Sequence, residues 1–404
     1  MLTTIAWRNI WRSRTRSLVV IGAIVLGIWA LVFMISFTVG MVQSYVDDAI
    51  ATSIGHLQVH QDSFREEPKL AYYFDLDPST FQELSALEGV RGVAPRTLVN
   101  AMVGSTRNTR GVQIRGIDPE AERLVTELDQ RLVSGDYFSE EGRNPILLSS
   151  ALAAKLKVKV RSKVVLTFQD LNHDITAGAF RVVGLYDTGN KPFDEGNVFV
   201  RRADINRLLG EDAMTHELSF FLDDPQRLAE IQGETKTILP ELLVEDYREV
   251  APDLQLYEGQ IQTSATIFMT IIMLALLFGI VNTMLMAVLE RYRELGMLMA
   301  VGMNKGRVFG MIVLETFFLA LLAIIPGLLL GWGTVVILAK RGIDLSVFGN
   351  GLSQFGMSHM VYPQLQSGFY VQLAVIVAGT ALLGALYPAW RAIRLRPVEA
   401  IRKI

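Results

Sequence analysis

The sequence contains no cysteine among its 404 residues, so disulfide bonds, cysteine-ligated zinc sites and thiol nucleophiles are all excluded. It is also poor in charge, since only 20% of its residues are Asp, Glu, Lys or Arg, whereas soluble domains carry about 25%. It has no Gly-Lys dipeptide, which the phosphate-binding loop of many ATPases requires. This sequence therefore excludes ATP hydrolysis through such a loop.

The charged residues are confined to a few segments. Half of the residues are hydrophobic, and the net charge of −3 gives no indication of nucleic-acid binding. This distribution excludes a single soluble domain and a disordered chain, and it predicts a membrane protein with one large soluble insert. Four stretches contain no charged residue: 18–46, 259–289, 316–339 and 345–390.

The uncharged stretches predict four membrane-spanning helices. About 20 apolar residues are needed to cross the hydrocarbon core of a bilayer as a helix. The predicted spans are 18–42, 263–289, 308–339 and 370–390, and the segment 340–369 between the last two is predicted to be a loop. The third span is longer than needed and carries Glu315 close to its start, where we expect the carboxylate to find a partner.

Basic residues predict how the chain is oriented. Thirteen Lys and Arg residues lie in the segments 1–17, 290–307 and 391–404, and only two lie between the third and fourth spans. By the positive-inside rule, those three segments are cytoplasmic. The insert 43–262 is therefore expected outside the cell membrane.

The sequence pattern of the insert predicts an α+β domain. Strand-like segments at 56–60 and 90–103 flank a helical segment at 78–87, and the same order recurs at 216–222, 225–239 and 242–247. These two β–α–β units bracket the region 118–210, which has strand patterns of its own at 163–169 and 180–185. We predict a β–α–β subdomain with a β-rich insert.

Few residues offer catalytic or metal-binding chemistry. His56 and His60 share one face of a predicted strand without a carboxylate beside them, and His216 lacks the second histidine of a zinc-protease helix. No serine lies in a Gly-x-Ser-x-Gly turn. The carboxylates are spread over a domain whose charges we expect to be solvated. Nothing therefore supports an enzyme or a metal site.

Two segments beside the membrane are amphipathic. The segment 1–17 places Trp7 and Trp11 where tryptophan lies at the membrane interface. In the link between the second and third spans, the charged segment 290–294 precedes the apolar segment 295–301, and Gly302 then favours a turn. This pattern predicts a short helix that either binds a cytoplasmic partner or lies on the membrane surface.

These cytoplasmic segments resemble a known family. The link 289–316 (LERYRELGMLMAVGMNKGRVFGMIVLET) is similar to the signature of FtsX-like permeases, the class of ABC transporters with lipoprotein-releasing (LolC/LolE-type) and macrolide-exporting (MacB-type) members. The tail 387–402 (YPAWRAIRLRPVEAIR) resembles the closing motif of that family, and the opening WRNIWR at 7–12 fits it. The segments 111–119 and 180–189 are similar to lipoprotein-releasing permeases.

The resemblance implies a permease subunit of the bacterial inner membrane, with the insert in the periplasm and without a cofactor of its own. ATP and Mg²⁺ would bind to a dimer of a separate cytoplasmic ABC ATPase, and a second permease copy or a paralogue and a periplasmic lipoprotein chaperone are the other implied partners. The ATPase-coupling residues would be Glu290, Arg291, Arg293, Glu294, Gly296, Leu298 and Gly302. A lipid-anchored substrate would enter between the first two spans, beside Phe33, Phe37, Met41, Phe268, Met269 and Ile272.

Three functions in transport or signalling remain open from the sequence, and a membrane-anchored enzyme, which turnover by the isolated insert would reveal, is a fourth. The first is extraction of lipoproteins from the inner membrane for delivery to the outer membrane. The second is efflux of macrolides or peptides by a MacB-type permease. The third is regulation of cell-wall hydrolases by an FtsX-like signalling protein, against which the large insert argues, because such members have a smaller outer domain.

Overall fold

The computed structural model describes residues 2–138, 144–352, 354 and 359–394. The chain divides into two compact units. The first, here called the helical unit, comprises Met1–Val42, Glu258–Ile343 and Val361–Ile404, and the second, here called the outer domain, comprises Gln43–Tyr257 and Asp344–Met360. The end of the tail motif, residues 395–402, lies outside the described residues.

The chain begins with α1 (Leu2–Arg12) and α2 (Arg14–Ala49), and a π-helical turn (Ile50–Ile54) ends the latter. The next strands are β1 (Leu57–His60), β2 (Phe74–Asp75), β3 (Val90–Gly104), β4 (Thr109–Ile117), β5 (Leu132–Gly135), β6 (Pro145–Ser149), β7 (Lys163–Gln169), β8 (Ile175–Tyr186), β9 (Asn197–Arg201), β10 (Met214–Thr215), β11 (Glu217–Leu222) and β12 (Leu243–Asp246). The helices between them are α3 (Asp62–Glu66), α4 (Pro78–Ser85), α5 (Pro119–Val125), α6 (Ser150–Leu156), α7 (Lys191–Gly196), α8 (Arg202–Leu209), α9 (Leu228–Ile238) and α10 (Tyr247–Val250).

The rest of the chain is mainly helical. It contains α11 (Pro252–Glu290), α12 (Tyr292–Ala300), α13 (Lys305–Arg341), α14 (Gly349–Leu352) and α15 (Ser367–Ile393), with the short strands β13 (Ile343–Asp344) and β14 (Met360–Val361). Among the described residues, four helices are long and apolar enough to cross a membrane, namely α2, α11, α13 and α15. The predicted combination of four membrane-spanning helices with a large α+β domain is thereby confirmed. Each helix extends beyond its predicted span.

The outer domain is built on one ten-stranded sheet. Its order is β12-β1-β11-β3-β4-β9-β6-β8-β5, and β7 pairs with both β3 and β8. The two predicted β–α–β units therefore interleave, because their four strands lie side by side at one end of the sheet. The predicted insert is not a separate body, since β3 is 15 residues long and pairs with β11 early in its length and with β7 at its end.

Hydrophobic burial explains these elements. Strands β7 and β8 alternate between buried and exposed residues, which is typical of a strand with one solvated face. By contrast, β6 is buried along its whole length. Helix α9 is preceded by a 3₁₀ turn (Pro225–Arg227), which Asp224 caps by accepting a hydrogen bond from the backbone N–H of Gln226.

The helical unit packs closely where α13 carries small residues. A Cβ added to Gly327 would lie 3.0 Å from the Cβ of Ile28, and one added to Gly331 would lie 2.9 Å from the Cβ of Val32. The two glycines, four residues apart, thus let α2 approach the backbone of α13 closely. Helix α13 continues through Pro326 without interruption.

Candidate functional site

Helix α12 is a short helix between two long ones, as the link pattern predicts. It ends at a turn in which Gly302 has a φ of +105°, a conformation that side chains with a Cβ rarely adopt. Asn304 then caps α13 by accepting a hydrogen bond from the N–H of Gly306 at 3.1 Å. The turn therefore fixes where α12 ends and where α13 begins.

One face of α12 is packed and another is open. Leu295 and Gly296 are buried in the helical unit. Met297 is 54% exposed, Leu298 is 40% exposed and Val301 is 89% exposed. These three apolar side chains, here called the docking patch, lie within five consecutive residues. Among the described residues of the helical unit, none covers the exposed part of these side chains, so the patch is available for a partner.

The acidic residues around α12 are paired with the N-terminal helices. The Arg12 guanidinium donates two hydrogen bonds to the Glu294 carboxylate, at 2.5 and 2.9 Å. Arg16 forms an ion pair with Glu290. These contacts connect α1 and the start of α2 with the end of α11 and with α12, so two of the predicted coupling carboxylates have partners inside the chain. The sequence did not reveal these partners.

Arg291 joins α12 to α13. It lies 3.2 Å from the carboxylate of Glu315 and 3.9 Å from that of Glu294. The Glu315 carboxylate also accepts a hydrogen bond from Asn9 of α1 at 3.4 Å, and the side chain of Glu315 is only 10% exposed. The expected partner of Glu315 is therefore present. Arg293, the remaining predicted coupling cation, is exposed.

The six predicted portal residues are half-buried residues of α2 and α11. The two helices meet where a Cβ on Gly27 would lie 3.1 Å from the side chain of Leu276. Phe33 and Phe37 stack on each other, with ring centroids 6.2 Å apart. On α2 the portal residues come after Gly27 in the chain, and on α11 they come before Leu276. They are Phe33, Phe37 and Met41 on α2, and Phe268, Met269 and Ile272 on α11.

A buried charge cluster in the outer domain was not predicted from the sequence. The Arg96 guanidinium donates to Glu122 at 2.6 and 3.0 Å and to Glu217 at 2.6 Å. The three side chains are at most 5% exposed. The expectation that the carboxylates of this domain are solvated is therefore wrong for these two. Ionised groups can be buried here because each has an oppositely charged partner.

Electrostatics in the outer domain follow from this burial. Burial works against the charged form, but the two carboxylates raise the pKa of Arg96 above its ordinary value, and they do so by charge and by hydrogen bonding. Burial likewise opposes ionisation of Glu217, but Arg96 and Arg115 hold its pKa below the ordinary value. For Asp194, burial prevails and raises the pKa of the carboxyl group to about 7.

The histidines of the outer domain have structural contacts. The His60 ring lies 2.9 Å from the Gln58 side chain and 3.3 Å from the carbonyl of His216. His216 contacts the carbonyl of Leu70, and burial lowers the pKa of His216 to about 4. Within the described part of the chain, no three histidine or acidic side chains are grouped so as to hold a metal ion.

Two family descriptions match this sequence. Residues 17–238, more than half of the chain, match the family described as MacB-like periplasmic core domain. Residues 266–397 match the family described as FtsX-like permease C-terminal. The first match covers α2 and most of the outer domain, and the second covers the remaining long helices and α12.

Lipoprotein-releasing permeases and macrolide exporters are both among the relatives of this chain. The chain is 27% identical over 342 residues to the lipoprotein-releasing system transmembrane protein LolC of Neisseria meningitidis, an alignment that covers 78% of this chain and 79% of that one. It is 23% identical to LolE of Haemophilus influenzae, over 94% and 92% of the two chains. It is 26% identical to the macrolide export ATP-binding/permease protein MacB of Nitrobacter winogradskyi, over 96% of this chain but only 58% of that relative.

Proposed function

The chain belongs to the FtsX-like permeases with a MacB-like periplasmic core domain, and we propose from this premise that it extracts lipoproteins from the inner membrane for delivery to the outer membrane. It is a multi-pass membrane protein and an ABC transporter permease of the FtsX, MacB and LolC type. Beyond family membership, we propose a substrate, an orientation in the membrane and a transmission of motion from the cytoplasm to the outer domain.

One observation carries the choice of substrate. The alignments with lipoprotein-releasing permeases run through most of both chains, for example 78% and 79% with the Neisseria protein. Alignment along most of both chains supports a shared task, whereas only 58% of the macrolide exporter is covered, although fold alone does not determine function. The proposed substrate is therefore a protein with a lipid anchor in the outer leaflet of the inner membrane.

The proposed motor is a separate ABC ATPase dimer that holds ATP and Mg²⁺. Its groove would bury the docking patch formed by Met297, Leu298 and Val301, which is apolar and exposed. The ion pairs of Glu294 with Arg12 and of Glu290 with Arg16 would make α12 move together with α1 and the start of α2. In this arrangement the basic segments 1–17 and 290–307 are cytoplasmic, as the positive-inside rule predicts.

The proposed entry for the lipid anchor lies beside the portal residues. Phe33 and Phe37 form an apolar stack, and Met269 and Ile272 are half-buried against the core of the helical unit. Apolar side chains of this kind match acyl chains, and methionine adapts to varied shapes. A second permease copy or a paralogue would complete the entry, and a periplasmic lipoprotein chaperone would accept the released protein.

A second candidate function is efflux of macrolides or peptides. The observation that favours it is the alignment with the Nitrobacter macrolide exporter, which covers 96% of this chain. The domain order is the same for either substrate, so a measurement on the living cell has to separate them.

Depletion of this chain tests the proposal. Lipoproteins should accumulate in the inner membrane, measured by separating the two membranes on a density gradient, while susceptibility to macrolides stays unchanged. Increased macrolide susceptibility with correctly sorted lipoproteins would instead support efflux. A septation or cell-wall defect without either effect would contradict both and would support regulation of hydrolases.

A further inference from the structure

The end of α2 is held by side chains from two central strands of the outer domain. In the π-helical turn Ile50–Ile54, the Gly55 N–H bonds to the carbonyl of Ile50, so the last carbonyls of the turn have no partner inside the helix. The Ser53 carbonyl accepts hydrogen bonds from Arg96 at 2.8 Å and from Arg115 at 3.2 Å. Arg96 lies on β3 and Arg115 on its neighbour β4.

Further contacts surround the same turn. The Ile54 carbonyl accepts from Gln58 at 2.8 Å and from Ser219 at 3.1 Å. The Ala51 carbonyl accepts from the backbone N–H of Glu127 at 3.1 Å. The open end of the helix is thus satisfied by groups of the outer domain, and the two guanidinium groups oppose the negative end of its dipole.

The charges around Ser53 are balanced. Arg96 and Arg115 are matched by Glu122 and Glu217, and Arg96 contacts both carboxylates. Arg115 also donates to Asn197 at 3.1 Å and lies over the Phe193 ring. A network of this kind fixes direction as well as distance, because the guanidinium donors lie in one plane. Apolar packing would hold the helix without fixing its orientation in that way.

We propose that Arg96 and Arg115 form a rigid joint through which movement of α2 enters the sheet of the outer domain. This inference rests on the proposed function, because it assumes that ATP moves α2. Arg115 is a positioning residue in this joint, since it acts through the Ser53 carbonyl. A loose joint would let α2 rotate or slide without moving β3 and β4.

Arg115 is the better residue to change. Removing the Arg96 guanidinium would leave the buried carboxylates of Glu122 and Glu217 without the cation that contacts both, which would destabilise the whole domain. Arg115→Met keeps an apolar stem against Phe193 and removes the hydrogen bonds to Ser53 and Asn197, whereas Arg115→Lys keeps a donor. Arg110→Met is the matched control, because Arg110 is an exposed arginine on the same strand.

The test measures motion directly and does not depend on the substrate. The natural chain has no cysteine, so spin labels at Glu234→Cys and Ile337→Cys report one distance in the assembled complex with its ATPase. In the complex that retains Arg115, the distance between the two labels should shift when ATP is trapped with vanadate. Arg115→Met should lose the shift while ATP hydrolysis and the melting temperature are retained, and Arg115→Lys and Arg110→Met should keep the shift.

An unchanged shift in Arg115→Met would overturn the joint while leaving the proposed transmission intact. An equal loss in Arg110→Met would also overturn it, because the effect would not depend on the Ser53 contact. If the complex with Arg115 unchanged showed no shift, that result would contradict the proposed transmission of motion to the outer domain. It would contradict the joint as well.

Discussion

Replacing the docking patch with glutamine should release the ATPase without unfolding the permease. The variant is Met297→Gln, Leu298→Gln and Val301→Gln, and glutamine is about as favourable in a helix as methionine or leucine. Since these side chains are 54%, 40% and 89% exposed, the exposed parts add up to nearly two whole apolar side chains. Burying them against a partner is worth about 3–4 kcal/mol. Affinity should therefore fall by roughly two to three orders of magnitude.

Affinity purification measures this loss. A tag on the permease should recover the ATPase subunit from the unaltered protein but little or none from the triple variant, and hydrolysis by the purified sample should fall accordingly. The matched control is Val347→Gln with Phe348→Gln, two exposed apolar residues of the outer domain at 91% and 66% exposure, which should leave ATPase recovery unchanged. Recovery of the ATPase at the unaltered level from the triple variant would refute docking at this patch.

Three further predictions concern topology, packing and pH. In intact spheroplasts, an impermeant thiol reagent should label Glu234→Cys and spare Lys305→Cys, and the reverse pattern would contradict the orientation. Gly331→Leu should lower the melting temperature, because its side chain would collide with α2 at a cost of about 1–3 kcal/mol, whereas Gly333→Leu should not, since its Cβ would meet no atom within 4 Å. Because burial raises the pKa of Asp194 to about 7 from 3.8, the folded state binds a proton that the unfolded state releases, and stability should fall as pH rises from about 4 to 7. Asp194→Asn should flatten the dependence of stability on pH in melting curves. An unchanged dependence would contradict the assignment of this effect to Asp194.

The membrane helices were predictable because their signal is local. A run of about 20 apolar residues marks a span wherever it lies in the chain, so 308–339 was found within α13 (Lys305–Arg341). The observed helix ends differ from the predicted span ends because a helix continues past the hydrocarbon core as long as its residues favour helical structure. Helix α12 was predictable for a similar reason, since charged residues, apolar residues and Gly302 follow one another within the link.

The long-range pairs were not predictable. Glu294 looked available for a partner protein, and only the fold brings Arg12 to it from 282 residues away. Glu122 and Glu217 lie 26 and 121 residues from Arg96, and no periodicity connects such positions. One local signal did exist, because Arg96 is a single charge inside the apolar run from Val93 to Val99, and a charge in a buried strand requires a partner.

Release of a lipoprotein from reconstituted membranes tests the central claim most directly. Proteoliposomes would contain this chain with its ATPase and partner permease, together with a triacylated lipoprotein, and a soluble acceptor would collect what leaves the bilayer. The acylated protein should be released only when ATP is hydrolysed, and the triple variant of the docking patch should release none. Retention of the lipoprotein in the membrane despite continuing ATP hydrolysis would rule out extraction as the function of this chain.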